Sequence, residues 1–312
     1  MKDHSTISRM ITLSTESLPM QRTSLFRLIL LAAIFGASFL FMRLSVTSLG
    51  PVTLITCRVA CAAVFLAVVA YYVQTPLSLK QYWRHYLILG LFNAALPFLL
   101  FALAARSLSV SLMAIFNATT PLWGCLIGAL WTRSGIPAKT VSGLLLGLVG
   151  VMILVGFEHL NTMPGVLFAS ICALCAASSY GVASVYTKSV TGVLPFANAH
   201  GSMWGATLWL LPLLPFFPVT TVPSLSVISA VLALGILCSG VAFLLFFRLV
   251  ADIGPTSTLT VTFLIPVFGI LWGYLFLDET MTWTTLVGVL CIICSIGLVG
   301  NFSWRMLFGH AK

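Results

Sequence analysis

The sequence predicts an all-α integral membrane protein with ten transmembrane helices arranged as two inverted five-helix repeats. Composition gives the first indication, because 60% of the 312 residues are hydrophobic and 7% are charged, whereas soluble domains carry roughly a quarter charged residues. Because this number of charges cannot cover the surface of a soluble globule, most of the surface must face lipid. The lengths of the apolar runs and an internal repeat supply the other two indications.

Segments of transmembrane length follow one another from residue 25 onward, separated by breaks rich in Pro, Gly and polar residues. Helices are favoured over a barrel because the apolar runs are continuous and do not alternate with a period of two. The first run is too long for a signal peptide. The predicted spans are Leu25–Val46, Val52–Val73, His85–Ala105, Val110–Trp131, Thr140–Gly156, Gly165–Thr187, Phe196–Phe217, Ser226–Phe247, Thr256–Leu277 and Trp283–Phe302.

The placement of Lys and Arg predicts that both termini are cytoplasmic, since basic residues near span ends are retained on that side. With this orientation, twelve of the 15 Lys and Arg residues fall in the cytoplasm. Residues 1–24 and 304–312 are then cytoplasmic tails, the first of them disordered. Three arginines, Arg43, Arg58 and Arg106, lie instead in the outer halves of the first three spans.

An internal repeat appears when the chain is shifted by 145 positions. Leu87–Leu145 then aligns without a gap to Leu232–Leu290, with 15 identities in 59 positions that include Pro121 with Pro266, where composition alone gives about five. One copy covers spans three to five and the other spans eight to ten, so the repeats are predicted at 25–157 and 164–303. Because five is odd, the second copy crosses the membrane in the opposite sense, which places a binding site at the repeat interface and favours a transporter.

Several short segments carry a family resemblance: Phe35–Phe39 in the first span, Arg58 early in the second, the mid-span prolines Pro121 and Pro266, and the stretch from Leu277 to Glu279. Together with ten helices in two halves, they resemble the EamA-type transporters of the drug/metabolite transporter superfamily, over about Leu25 to Phe302. The resemblance implies export or exchange of small metabolites, often amino acids, across a bacterial inner membrane. It also implies a basket of helices around a central cavity, with the fifth and tenth helices peripheral.

One position departs from the pattern of that family. Members often carry a Glu after both the fourth and the ninth span, but Ser134 occupies the position that matches Glu279. Any symmetrical role of such a Glu pair in gating is therefore in doubt for this chain.

Midplane helix breaks indicate a candidate substrate site. Pro121 and Pro266 cannot donate a hydrogen bond to the carbonyls of Asn117 and Thr262, so each leaves a backbone acceptor that a substrate ammonium or hydroxyl could use. The alternative is a plain proline kink whose carbonyl a neighbouring helix satisfies. Intramembrane Asn and Thr side chains could likewise converge on a cavity or serve as hydrogen bonds between helices. The predicted substrate-binding residues are Phe39, Asn93, Asn117, Thr120, Pro121, Tyr180, Thr262 and Pro266.

Charges near the outer surface suggest a gate. Arg58 lies seven residues beyond Pro51, about 10 Å below the surface, where an arginine needs a partner or a water-filled vestibule. Three acids are predicted on the same side, and the hypothesis is that some of them pair with the outer arginines when the outer mouth is closed. Structural bridges or snorkelling to lipid phosphate are the alternatives. The predicted gating residues are Arg43, Arg58, Arg106, Glu158, Asp278 and Glu279.

The sequence lacks the residue patterns that enzymes and ATP-driven pumps require. The sequence has no paired carboxylates and no HExxH helix at membrane depth, and it has no Gly-rich phosphate loop. We therefore expect no enzyme and no ATP-driven pump. We also expect no metal, cofactor or nucleic acid, and the lipid bilayer and a small-molecule substrate as partners. Cysteines with CxxC spacing lie inside predicted spans and are read as packing residues.

The placement of acidic residues also bears on the mode of transport and on two alternative functions. A multidrug efflux carrier is the alternative within transport, but the membrane-embedded Glu that small multidrug-resistance proteins need is missing from Leu25–Val46. A membrane-assembly or lipid-handling partner is the alternative outside transport. Because no acid lies inside a predicted span, we expect facilitated transport or exchange of a zwitterionic or neutral substrate, with His200, Asp278 and Glu279 as the candidate proton carriers. The alternative for His200 is an interfacial snorkelled side chain.

The predicted topology can be checked with reporter fusions along the chain. Fusions after Gly50 and Glu158 are expected to read as external, and fusions after Lys80 and Lys188 as cytoplasmic, because the basic residues and the odd-numbered repeat both require it. A cytoplasmic signal after Glu158 would mean that spans five and six form a re-entrant pair, and the inverted repeat would then be wrong.

Overall fold

The computed structural model describes residues 22–136, 138–155, 165–219, 222–258, 261–280 and 282–299, and within these ranges every regular element is a helix. This confirms the predicted all-α class for the described part of the chain. The α-helices, numbered in chain order, are α1 (Arg22–Val73), α2 (Leu79–Gly90), α3 (Leu96–Ala104), α4 (Val110–Asn117), α5 (Thr120–Thr132), α6 (Ala138–Val155), α7 (Val166–Ser189), α8 (Pro195–Leu210), α9 (Leu225–Leu232), α10 (Ala242–Thr258), α11 (Val261–Leu277) and α12 (Trp283–Val299).

Helix α1 contains a sharp bend. Gly50 adopts φ 71° and ψ 160° inside the 52-residue element, and Pro51 follows it. Glycine reaches this left-handed φ without the steric penalty of a Cβ, and proline is tolerated at the start of a helix. The bend falls between the first two predicted spans, so α1 consists of two helices that meet at Gly50.

Five stretches of the described chain are long and apolar enough to cross a membrane, and the first of them contains the bend at Gly50. They are Thr23–Val73, Leu79–Ala104, Val110–Thr132, Val166–Ser189 and Leu225–Phe246. Shorter apolar helices occupy Ala138–Gly150, Leu264–Leu277 and Trp283–Ser295. The count of ten crossings, their inverted arrangement and the repeat boundaries stay predictions, and most residues of both predicted tails lie outside the described ranges.

The structure differs from the predicted spans at two helix ends. The predicted seventh span ends in a 3-10 segment, Leu211–Phe216, which contains Pro215, because proline removes a helical hydrogen bond. Thr256, the predicted start of the ninth span, lies instead within α10, and α11 begins at Val261. Two π-helical segments, Leu91–Ala95 and Ala233–Val241, join α2 to α3 and α9 to α10.

Glycines bring helix backbones into direct contact. A Cβ added to Gly90 on α2 would lie 2.6 Å from the backbone nitrogen of Ala206 on α8. Its repeat partner Gly235 is equally tight, since a Cβ there would lie 2.6 Å from Cβ of Cys61 on α1. Close approach through small residues is the usual means of helix association in lipid, where the hydrophobic effect between helices is weak.

Helices α6 and α12 pack against each other. Oγ of Ser295 donates to the carbonyl of Gly143 at 2.5 Å, and a Cβ on Gly150 would lie 3.0 Å from Cβ of Cys291. These helices are the last of the two predicted repeats, so the contact between them joins the two halves of the chain.

Substitution of Gly90 by Ala tests the backbone contact between α2 and α8. Alanine normally stabilises a helix by up to about 1 kcal/mol relative to glycine, but here we expect destabilisation by roughly 1–3 kcal/mol because a backbone atom blocks the added methyl group. Thermal unfolding in detergent measures the difference. Gly124→Ala is the matched control, since a Cβ at this helical glycine meets nothing within 4 Å; equal melting temperatures for the two variants would contradict the packing.

Candidate functional site

A cavity of about 220 Å³ lies among α1, α3, α4, α5, α7, α10, α11 and the two π-helical segments. Its lining combines aromatic rings, small polar side chains and one arginine. The lining residues are Phe35, Ser38, Phe39, Met42, Arg58, Asn93, Phe98, Phe101, Asn117, Thr120, Tyr180, Cys238, Phe243, Thr262 and Ile265.

Equivalent positions of the internal repeat line this one cavity. Within the stretch that aligns without a gap, eight of the fifteen lining residues form four pairs, and the members of each pair are separated by the repeat distance of 145 positions. The pairs are Asn93 with Cys238, Phe98 with Phe243, Asn117 with Thr262, and Thr120 with Ile265. Both halves of the chain therefore contribute the same positions to one space.

Helix irregularities carry several of these side chains. Asn93 and Cys238 each lie in a π-helical segment, a rare geometry that is frequent at functional sites. Asn117 and Thr120 flank a tight turn between α4 and α5, where the N–H of Thr119 donates to the carbonyl of Phe116 at 3.1 Å. Irregular helix segments in both halves of the chain thus contribute lining residues.

The same turn corrects the interpretation of Pro121. Its ring lies in the first turn of α5, where a missing N–H costs nothing, and Oγ1 of Thr120 donates to the carbonyl of Asn117 at 2.7 Å. The acceptor that was expected to be free for a substrate is already paired. Pro266 lies inside α11, and neither proline is among the lining residues.

Arg58 is the charged residue of the cavity. It is 4% exposed, its Nε donates to Oγ of Ser239 at 2.9 Å, and its Cζ lies 3.6 Å from the ring centroid of Phe98. The hydroxyl of Ser239 donates in turn to the carbonyl of Leu234 at 3.1 Å. The partners of Arg58 are therefore a hydroxyl and an aromatic face, the latter a cation–π contact.

Aromatic rings form a continuous wall beside Arg58. Phe39 meets Phe101 edge to face with centroids 5.2 Å apart, Phe101 stacks on Tyr180 at 6.4 Å, and Phe98 lies 6.5 Å from Tyr180. We call these four residues, Phe39, Phe98, Phe101 and Tyr180, the aromatic wall. Because Phe98 also contacts the guanidinium of Arg58, one end of the aromatic wall lies at the positive charge.

Six of the eight predicted substrate-binding residues line the cavity; the exceptions are the two prolines. The sequence reasoning missed the other aromatic and aliphatic lining residues. Phe35, Ser38 and Met42 share one face of α1 with Phe39, so helical spacing could have predicted them as lining residues. Phe98 and Phe243 are repeat partners, so repeat spacing could have predicted that pair. The binding roles of all these residues stay predictions.

The predicted pairing of outer arginines with outer acids differs from the contacts in the described residues. Glu279 accepts hydrogen bonds from the backbone N–H of Val110 (2.6 Å) and from the N–H (3.1 Å) and hydroxyl (2.7 Å) of Ser111. Arg43 donates to the carbonyl of Ala105. The unpaired N–H groups and positive dipole at the start of α4 compete for the carboxylate.

Two further predicted gating residues, Arg106 and Asp278, do not line the cavity. Arg106 and Asp278 are exposed, and Glu158 lies outside the described residues. The ion pairs in the described part of the chain join Asp252 to Arg27 at 2.5 Å and to Arg248 at 3.2 Å. His200 is 5% exposed, and its Nε2 accepts from Nε1 of Trp204 at 3.0 Å, so it is buried in the protein and is not snorkelled.

Comparison with known proteins places this fold among transporters. The chain is 25% identical over 272 residues to the "Uncharacterized transporter YoaV" of Bacillus subtilis, an alignment that covers 84% of this chain and 91% of the relative. It is 27% identical over 302 residues to the "Uncharacterized transporter YvbV" of the same organism, covering 92% and 94%. Protein PecM of Dickeya dadantii is 24% identical over 231 residues, covering 74% and 76%.

A solved crystal structure shares the fold, with a TM-score of 0.59 at 21% identity over 86% of this chain and 96% of the other. The profile of the EamA-like transporter family matches twice, over residues 22–156 and 164–301. Together the two matches span most of the described helices. The chain belongs to the EamA-like transporter family and is a multi-pass membrane transporter.

Proposed function

We propose that this chain is a secondary transporter that exports or exchanges small metabolites, amino acids or related compounds, across a bacterial inner membrane by alternating access between its two repeats. One observation carries the proposal: equivalent positions of the two repeats line a single cavity. A site shared between inverted repeats is exposed to one side and then the other as the repeats rock about it.

Two polar contacts between the predicted repeats, one near each predicted membrane surface, suggest where the two gates are. Glu279 of the second repeat binds the start of α4 in the first, on the predicted outer side. Arg27 of the first repeat binds Asp252 of the second, on the predicted cytoplasmic side. Opening either mouth would separate one of these contacts. For the outer gate, the contact of Glu279 with the start of α4 therefore replaces the arginine–acid pair that the sequence predicted.

The charges of the cavity support facilitated transport or exchange. Asp and Glu are missing from the described lining residues, and proton-driven carriers usually hold a protonatable acid within the membrane. A carrier of cationic drugs would also need an acid there, so the multidrug alternative is disfavoured.

Filling the cavity from either repeat tests the transport proposal. We expect Asn117→Trp and Thr262→Trp, at repeat-equivalent lining positions, to lower amino acid counterflow in proteoliposomes by more than tenfold, because an indole would occupy the space. Val64→Trp is the control at a 55% exposed position of α1. A non-transport role predicts no counterflow in any of these proteins, including the unmodified chain.

Replacing Glu279 by Gln tests the outer gate. Hydrogen bonds to a charged group contribute about 1.5–3 kcal/mol, so we expect the outer mouth to open about tenfold more often, which corresponds to about 1.4 kcal/mol. The readout is alkylation of Cys238, a cavity-lining thiol, by an impermeant maleimide added outside and mapped on the peptide. The neighbouring Asp278→Asn, at an exposed acid, is the control. Equal Cys238 labelling in both variants would remove Glu279 from the gate.

A further inference from the structure

We infer that the cavity selects small monoanionic carboxylates with an apolar or aromatic body, and that Arg58 is the specificity-determining residue. The inference rests on the proposed transport function and narrows its substrate class. It starts from the charge balance of the cavity, in which a buried cation has neutral partners.

The charge of Arg58 is not compensated by the protein around it. Of the fifteen described lining residues, Arg58 alone is charged, and it forms none of the ion pairs found in the described part of the chain. Arginine keeps its proton in proteins and has five N–H donors, of which Nε is used by Ser239. A buried cation without a counter-ion is costly, so a ligand that brings one negative charge is favoured.

The geometry of the guanidinium favours a carboxylate. Ser239 binds Nε and the ring of Phe98 lies under Cζ, so the side chain is held at its inner end and on one face. The terminal nitrogens, which form the planar fork that matches two carboxylate oxygens, donate no hydrogen bond within the described part of the chain. Arg58 is thereby positioned for bidentate binding of a carboxylate in the cavity.

The positive charge of Arg58 disfavours an ammonium group in the same cavity. No described lining residue is acidic, so an amine would find the neutral oxygens of Asn117, Thr120 or Thr262 as acceptors. In a cavity of about 220 Å³, an amine would also remain close to the positive charge of Arg58. Removal of the amino group from a substrate should therefore improve binding.

The aromatic wall determines the other end of the ligand. Phe98 contacts the guanidinium, and Tyr180, Phe101 and Phe39 continue from it. A ligand whose carboxylate binds Arg58 would lay its body along these rings, where offset stacking and edge contacts are favourable. A single carboxylate followed by a short apolar or aromatic body fits both ends.

Three compounds with the same phenyl body separate the charge classes: 3-phenylpropionate, phenylalanine and 2-phenylethylamine. We expect the anion to stabilise the purified protein against thermal unfolding at concentrations at least tenfold lower than the amine, with the amino acid between them. In proteoliposomes, counterflow of labelled 3-phenylpropionate should be competed in the same order. An amine that stabilises as well as the anion, or an anion that does not stabilise at all, would overturn the inference.

Variants of Arg58 identify the residue responsible. We expect Arg58→Gln to lose the preference for the anion at least tenfold and Arg58→Lys to retain part of it, because lysine keeps the charge but not the planar fork. Arg106→Gln is the matched control, since this outer arginine is exposed and does not line the cavity. An unchanged preference in Arg58→Gln would reject its role.

The inference and the proposed function can fail separately. Anion-specific stabilisation without counterflow would retain the selective cavity and reject transport. Counterflow of phenylalanine that 3-phenylpropionate does not inhibit would retain transport and reject the anion preference. If Arg58→Gln does not fold, the ligand series on the unmodified protein and on Arg58→Lys still decides the matter.

Discussion

Close backbone approach between helices is the constraint on which the rest of this molecule depends. Lipid tails are as apolar as leucine side chains, so helices in a bilayer gain little from burying apolar surface against each other. Glycines such as Gly36, Gly90 and Gly181 allow contact because a Cβ at each would lie about 3 Å or less from a neighbouring helix. Helices held this near to one another leave little internal space, and that space becomes the cavity.

The polar groups of the cavity come from the same places where the helices are irregular. A π-helical segment or a tight turn in hydrocarbon exposes carbonyls that must find donors within the protein. Hydroxyls supply them locally, Ser239 to Leu234 and Thr120 to Asn117. Thr120 itself lines the cavity, and Ser239 acts on the cavity through its hydrogen bond with Arg58.

Periodicity and repeat arithmetic predicted the elements and much of the cavity, because both depend on local spacing along the chain. Six of the eight predicted binding residues line the cavity, from Phe39 to Thr262. The sequence could not predict which partner would satisfy each polar group. Oγ1 of Thr120 donates to the carbonyl of Asn117, and the backbone N–H at the start of α4 donates to the carboxylate of Glu279. Which donor pairs with which acceptor depends on three-dimensional packing, which local spacing along the chain does not contain.

The uncompensated charge of Arg58 has a consequence for membrane voltage. An empty cavity carries one positive charge within the protein, and a bound monoanion would cancel it. In the proposed alternating-access cycle, the empty carrier would move that charge relative to the field, at up to about 2.3 kcal/mol per 100 mV, whereas the loaded carrier would move none. Return of the empty carrier would then be the voltage-dependent step, and an exchange cycle that skips this step would be indifferent to the membrane potential.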